Sequence, residues 1–338
     1  MKEVIVICGP TASGKTALSI ELAKQINGEI VSADSMQIYD EMDIGTAKPT
    51  EAEMQGIKHY LIGGISPTTR YSVSQYKKDA EDAIAEIISK DKTPIVVGGT
   101  GLYVNSLIYG IEYPEIETDL EYRKTLEERE SKEGLEQLYN EACKIDKEAM
   151  EKISCNDKKR IMRVLEIYKT TGKTKTQLEV ESKLKGPKYN YRVFAINIER
   201  KKLYERINKR VDIMMDSGLI EEVQDLYNKY GENMLTSVQA IGYKEVIQFF
   251  KKEITKEEMI DKIKMETRRY AKRQITWFKK IDNIRWINGL DSIQNNIEII
   301  LEGRKNGKWQ YCKKQENKKD NNRNNSSNCN YLWHIYGV

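Results

Sequence analysis

The sequence predicts an α/β fold, a mainly parallel sheet flanked by helices, with a helical insertion. Three observations predict it. Short apolar runs recur at EVIVICG (3–9), EIVSAD (29–34), TPIVVGG (93–99) and YRVFAINIE (191–199), each of strand length and apolar enough for burial on both faces. Helical patterns separate these runs, and such alternation builds βαβ units. From about Glu112 to Lys185 the strand signal disappears and apolar residues spaced three and four apart replace it.

Taken in order, EVIVICG is a buried strand ending in glycine. A helix follows from about Lys15, with Ala17, Leu18, Ile20, Leu22 and Ala23 as its apolar positions. EIVSAD is the second strand and HYLIGGI (59–65) a third. Residues 71–91 form a helix capped by Ser72 or Ser74. TPIVVGGTGLY (93–103) is another buried strand with a glycine turn. The insertion carries Ile161, Val164, Leu165 and Tyr168 on one helical face. YRVFAINIE returns to the sheet, and a helix with Leu203, Ile207, Val211, Met214 and Met215 on one side follows. IRWIN (284–288) is the last strand. The expected division is a core at 1–111, the insertion at 112–188, a return to the core at 189–302, and an asparagine- and lysine-rich tail at 303–338, expected to be mostly disordered.

A chain of 338 residues suits roughly two domains. Its formal charge of +4 hides an asymmetry: residues 112–152 hold 14 acids against 7 bases, residues 156–214 hold 17 bases against 7 acids, and residues 268–280 hold six bases and no acid. Basic faces inside a near-neutral chain point to a polyanionic partner. The five cysteines, Cys8, Cys143, Cys155, Cys312 and Cys329, form no C-x-x-C pair. Free thiols are expected, and neither a disulfide scaffold nor a zinc site. The chain opens directly into a strand without a signal-peptide pattern, and no apolar run approaches the ~20 residues of a membrane span. A cytoplasmic protein is expected.

Gly9-Pro10-Thr11-Ala12-Ser13-Gly14-Lys15-Thr16 matches G-x-x-x-x-G-K-[ST] between a strand and a helix, the context that phosphate-loop motif requires. It makes the core P-loop NTPase-like. Its backbone N–H groups and the helix N-terminus attract phosphate oxygens, Lys15 adds a charge, and the Thr16 hydroxyl can ligate Mg²⁺. The motif does not say which molecule carries the phosphates. A nucleotide hydrolase needs a further acid at another strand end. Asp34 is the candidate, and as read from the residues it is metal ligand, catalytic base or helix cap. Gly9, Asp34 and Thr100 all lie at strand carboxyl ends, where open α/β sheets bind ligands. Beside Asp34 stands Gln37, whose amide can pair with an adenine edge through both donor and acceptor.

TRRYAKRQITWFKK (267–280) places Arg269 and Arg273 one turn apart, with Arg268 and Lys272 on the next row and Tyr270, Trp277 and Phe278 interleaved. Guanidinium groups suit phosphates and rings stack on unpaired bases, although a solvated amphipathic helix has the same pattern. NDKKRIMRVLE (156–166) adds Lys158, Lys159, Arg160 and Arg163. Two basic faces with a phosphate loop favour an RNA-sized anion. A P-loop kinase and an RNA-binding module with a relic loop remain open on these residues.

GPTASGKT, SADSMQIYDEMDIGTAKP, GGTGLY, NDKKRIMRVLE, AIGYKE and RRYAKRQITWF occur in the order found in tRNA dimethylallyltransferases, and the chain resembles that family from about Lys2 to Ile300. The resemblance implies transfer of a dimethylallyl group from dimethylallyl diphosphate to N6 of the adenosine on the 3′ side of the anticodon in tRNA, with release of diphosphate. It implies that Gly9 to Thr16 hold the diphosphate with Mg²⁺ at Thr16, that Asp34 is the general base, and that Thr100 and Arg210 serve in catalysis, Thr100 on substrate and Arg210 on diphosphate. It further implies contacts with the tRNA anticodon stem-loop from Asp34, Ser35, Met36 and Gln37, from Thr100 and Arg123, and from Lys159, Arg160, Ile161, Met162 and Arg163 in the insertion. The remaining contacts implied are Gln239, Ala240, Ile241, Gly242, Tyr243 and Lys244, then Lys272, Arg273, Gln274, Ile275, Thr276, Trp277, Phe278 and Lys279. The enzyme is expected to act as a monomer. His59-Tyr60-Leu61 departs from the paired histidines of many members, and the tail carries no resemblance.

Overall fold

The computed structural model describes residues 1–113, 119–302, 304–305 and 308–309. Six strands and fourteen α-helices run through the first two spans. They begin β1 (Glu3–Cys8), α1 (Lys15–Ile26), β2 (Gly28–Ser32), α2 (Glu51–Met54), β3 (His59–Tyr60), α3 (Val73–Ser89), β4 (Thr93–Gly98) and α4 (Gly101–Ile108). Five helices follow: α5 (Leu120–Glu133), α6 (Leu135–Ile145), α7 (Lys147–Met150), α8 (Lys158–Thr171) and α9 (Lys175–Glu181). The chain then gives β5 (Asn190–Asn197), α10 (Arg200–Asp216), α11 (Leu219–Tyr230), α12 (Tyr243–Phe250), α13 (Lys256–Phe278), β6 (Arg285–Asn288) and α14 (Ile293–Leu301). The tail expected from 303 lies outside the described residues, apart from a short antiparallel pairing of Arg304–Lys305 with Lys308–Trp309.

The strands form one parallel sheet in the order β3-β2-β4-β1-β5-β6. β1 is central, with Val6 paired to Val96 on one side and Val193 on the other. Helices cover both faces, so β1 reads as an uninterrupted apolar run: Val4 to Cys8 are all buried. The core joins Ile5, Ile7, Ile30, Ile95, Phe194 and Ile196 of the sheet to Leu18, Leu22, Leu203, Ile207 and Ala271 of the helices.

Helix limits follow local chemistry. The Ser72 side chain accepts the Gln75 N–H and starts α3. Thr255 and Glu258 form a reciprocal capping box at α13. The third strand is shorter than HYLIGGI suggests, because Leu61, Gly63 and Gly64 take positive φ angles of 59°, 68° and 93° and turn the chain away after Tyr60. Ile65 nevertheless returns to bridge Tyr39. TPIVVGGTGLY likewise divides, as strand up to Gly98 and helix from Gly101.

The described chain divides into two compact units, one of Met1–Val104 with the chain from Tyr189 onward, the other Asn105–Lys188. Among its described residues the second unit holds helices and turns but no strand. Leu126, Leu138, Ala142, Met150, Ile161, Met162, Val164 and Leu165 form its core. Tyr168, expected on that face, is 43% exposed. Met214 and Met215 are half-buried, whereas Leu203, Ile207 and Val211 of the same helix are core residues. Among the described residues Cys8, Cys143 and Cys155 are free thiols, and no helix is long and apolar enough to cross a membrane.

Candidate active site

The loop between β1 and α1 is a left-handed turn at two points, Ala12 (φ 61°) and Gly14 (φ 91°), the latter leading into α1. That geometry points successive backbone N–H groups inward at a helix N-terminus. Lys15 Nζ donates to the carbonyls of Gly9 (3.0 Å) and Pro10 (2.7 Å). Burial, reinforced by the Arg210 charge and opposed by Asp34, pushes the Lys15 ammonium down to about 8. Ser13 Oγ is buried without a protein partner. Arg210 Nη1, from α10, donates to Thr11 Oγ1 at 3.3 Å. Burial also lowers the Arg210 pKa, against the charges of Glu53 and Asp34.

Gln274 ties this loop to the end of β4. Its Oε1 accepts the Thr11 N–H at 2.9 Å and its Nε2 donates to the Gly99 carbonyl at 2.9 Å. The Thr11 N–H is therefore committed within the protein. Gly98 lies so close to β2 that a Cβ there would fall 2.1 Å from the Ala33 carbonyl oxygen. This approach lets the Thr100 N–H donate to Ala33 O (3.1 Å) and Thr100 Oγ1 accept the Ser35 N–H (3.0 Å). Thr100 thereby fixes both residues flanking Asp34.

Asp34 follows β2 in a turn: its Oδ1 accepts the Met36 N–H at 3.0 Å. It caps no helix, and its structural role is this one local bond. Its charge acts on Lys15, Arg210, Tyr103 and Tyr270. Burial, then Asp34, raises the Tyr270 phenol, and hydrogen bonds with Thr100 and Gln274 oppose the rise. Thr11 to Thr16 of the phosphate loop, Asp34 to Gln37, Arg210, Gln239 to Gly242, Lys244, Tyr270 and Arg273 line one cavity of about 770 Å³, together with apolar Ile20, Val97, Met214 and Ile263.

Several side chains expected at an RNA surface are instead structural. Ile161 and Met162 belong to the core of the helical unit, and Tyr243 and Phe278 are fully buried, so none has a surface to offer. Gln274 is 5% exposed and its amide is consumed by the two loops. Ala240 and Gly242 are also buried, though they line the cavity. Lys272, Arg273 and Thr276 are exposed on α13 and Lys279 is exposed just after it, with Ile275 and Trp277 half-buried. Arg273 lies over the Tyr270 ring at 5.8 Å, whereas Arg268 is held by Asn208 and Arg269 by Glu266. In the helical unit Arg123 and Arg163 both reach the buried Glu166 carboxylate, Arg160 pairs with Asp157, and Lys159 is exposed. Gln37 donates through Nε2 to the carbonyls of Thr46 (3.2 Å) and Ala47 (3.1 Å). Two-point pairing with adenine is thus corrected: the amide hydrogens are engaged, and the carbonyl oxygen is what Gln37 offers.

Residues 37–281 match the family model described as IPP transferase. A tRNA dimethylallyltransferase of Acetivibrio thermocellus is 50% identical over 300 residues, covering 89% of this chain and 96% of the relative. The chain belongs to the tRNA dimethylallyltransferase family. The family's Halothermothrix orenii member is 47% identical over 285 residues, 84% of this chain and 87% of its own. The full-length tRNA isopentenylpyrophosphate transferase of Bacillus halodurans shares the fold with a TM-score of 0.67 at 41% identity, over 89% of this chain and 95% of that one. A eukaryotic dimethylallyltransferase captured acting on tRNA gives 0.75 at 31% identity, over 88% and 78% of the respective chains. This tRNA dimethylallyltransferase family member is accordingly a prenyltransferase with a P-loop core. Gln274 and Glu222, which organise its cleft, were not singled out for that role from sequence; only a glutamine between the buried positions Ala271 and Phe278 of α13 hints at the first.

Proposed function

We propose that the protein transfers the dimethylallyl group of dimethylallyl diphosphate to N6 of the adenosine on the 3′ side of the tRNA anticodon, releasing diphosphate. One observation carries the reading beyond family membership: a phosphate loop and an aspartate, at the carboxyl ends of β1 and β2, line a single cavity together with both apolar and cationic side chains. Loop N–H groups, Lys15 and Arg210 bind the diphosphate, and Ile20, Val97, Met214 and Ile263 offer surface to the prenyl chain. The flipped adenine enters opposite, at a cost of a few kcal/mol that is smaller in a single-stranded loop.

In the reaction the C1–O bond to diphosphate breaks with its electron pair leaving on oxygen. The N6–C1 bond forms from the nitrogen lone pair, and Asp34 takes the N6 proton. Because the allylic carbon becomes cationic as the anion departs, stabilising that anion is the larger effect. Lys15 and Arg210 supply the charge. Proton acceptance by Asp34 is worth ~10²–10⁴ in rate. Thr100 holds Ser35 and so aims Asp34.

Magnesium fits this site as a substrate-borne ion. Among the described residues no three acids, histidines or cysteines cluster around a metal position, and the donor in place is the exposed Thr16 hydroxyl at the start of α1. Mg²⁺ favours such sites, one or two protein oxygens with the rest from phosphate and water. It would neutralise charge on the leaving diphosphate. The enzyme is a monomer in this reading, and the helical unit, through Lys159 and Arg160, grips the anticodon stem.

The test is incubation of purified protein with anticodon stem-loop RNA, Mg²⁺ and dimethylallyl diphosphate labelled in the prenyl group. Label enters RNA at one adenosine. Label entering RNA from γ-labelled ATP instead would overturn the proposal.

A further inference from the structure

The loop that follows Asp34 is held from outside by α11. Glu222 Oε2 accepts the N–H groups of Asp43 (2.9 Å) and Ile44 (2.7 Å), and Oε1 accepts the Gly45 N–H (3.0 Å) and the Tyr243 hydroxyl (2.6 Å). One carboxylate thus gathers three consecutive backbone donors and a phenol. The contact is tight, for a Cβ on Gly45 would lie 2.4 Å from the Tyr243 ring. On the same helix Lys229 and Tyr230 grip the Glu41 carboxylate. Both Glu41 (φ 63°) and Ala47 (φ 50°) are non-glycine residues in the left-handed region. Such conformations persist where the surroundings over-determine them.

The next two carbonyls along the turn, Thr46 and Ala47, are the ones that receive the Gln37 amide hydrogens. The Gln37 carbonyl oxygen is therefore left as an acceptor in the cavity lining. An acceptor suits the N6 amino group of adenine and opposes the carbonyl at the same place in guanine.

We propose that Glu222 is a positioning residue for purine recognition: by fixing the 43–47 turn it holds Gln37 with its acceptor toward the exocyclic amine. This rests on the reading of the cavity as the adenine site. It assigns Glu222 no contact with substrate. Glu222→Gln keeps the shape, but it leaves one oxygen and an NH₂ group facing four donors, so the turn loses its grip.

The experiment is steady-state prenyl transfer to anticodon stem-loop RNA by the native chain, E222Q, Q37A and the double variant, with amide hydrogen exchange of residues 43–45. E222Q should lower kcat/KM for RNA by about tenfold or more while KM for dimethylallyl diphosphate stays within about twofold. Exchange of the three amides should quicken. The double variant should be no worse than Q37A, because Glu222 acts through Gln37. Equal losses from E222Q with and without Gln37 would overturn the proposal, as would native kinetics for E222Q beside an impaired Q37A. Native kinetics for Q37A would remove Gln37 from recognition and overturn the proposal as well, whereas no prenyl transfer by the native chain would overturn the reading of the site on which it rests. Should E222Q not fold, Tyr243→Phe removes one of the four donors. It is expected to lower the same RNA parameter less, and no change in it would count against the proposal.

Discussion

Replacing Gln274 by leucine removes a side chain that links two loops of the cleft. The residue is 5% exposed, accepts one backbone N–H and donates to one backbone carbonyl, both at 2.9 Å. Leucine fills the space but leaves the buried Gly99 carbonyl and the part-buried Thr11 N–H unpaired, each at a cost of up to ~1–3 kcal/mol. The sum is ~2–6 kcal/mol. At ~2–4 °C per kcal/mol for a unit of this size, the melting temperature should fall by about 4–24 °C. Thermal unfolding followed by circular dichroism reads the fall, and KM for dimethylallyl diphosphate should rise as the phosphate loop loses its anchor. Gln274→Glu sharpens the test. Its second oxygen would face the Gly99 carbonyl without a proton when ionised, and with one when protonated. That variant should gain stability on acidification from pH 8 to pH 5. A melting temperature for Q274L within about 1 °C of native would refute the reasoning.

Asp34→Ala should cut single-turnover prenyl transfer by about 10²-fold or more while RNA binding persists; near-native turnover removes Asp34 from the base role. Arg273→Ala should weaken RNA binding and reduce the slope of log K against log salt by about one, measured by fluorescence anisotropy; an unchanged slope would place that guanidinium away from phosphate. Lys15 gives a pH signature. Its ammonium is depressed to about 8 in the folded chain against 10.5 unfolded, so between those values the unfolded state binds the extra proton. Its contribution to stability therefore rises with pH through that window. Buried tyrosines, raised in the fold, work in the opposite direction. The comparison is therefore urea unfolding of native and Lys15→Met protein at pH 7.5 and 9.5. The native chain should gain relative to the variant at the higher pH, and an equal change would show Lys15 to be solvated.

What the sequence made legible were features carried by neighbouring residues. The phosphate loop is a contiguous motif, Asp34 directly ends a strand run, and the apolar strands announce a sheet buried on both faces. The third strand was legible only in part: HYLIGGI reads as strand to Ile65, but the left-handed Leu61 ends it at Tyr60. The long-range ties were not legible. Gln274 meets Thr11 across 263 positions and Glu222 meets Ile44 across 178. A polar residue with a distant partner looks, in one dimension, like any solvated one. The basic helix shows the converse. Six cations within residues 268–280 resemble a uniform patch, but Arg268 is spent on Asn208 and Arg269 on Glu266, while Arg273 lines the cavity. Inside the basic motif the burial of Ile161 was legible, because it shares an apolar helical face with Val164 and Leu165, whereas that of Met162, the next residue round the helix, was not.

The central position of β1 has a consequence for synthesis. Its two neighbours, β4 and β5, are separated by the whole helical unit, and at ~5–20 residues per second a ribosome needs roughly 5–20 s to pass from one to the other. Throughout that interval the nascent P-loop strand has one exposed flank, and Gln274 has yet to be made. A chain interrupted before α13 would lack the tie at Thr11, so early termination yields a fragment without a finished phosphate grip.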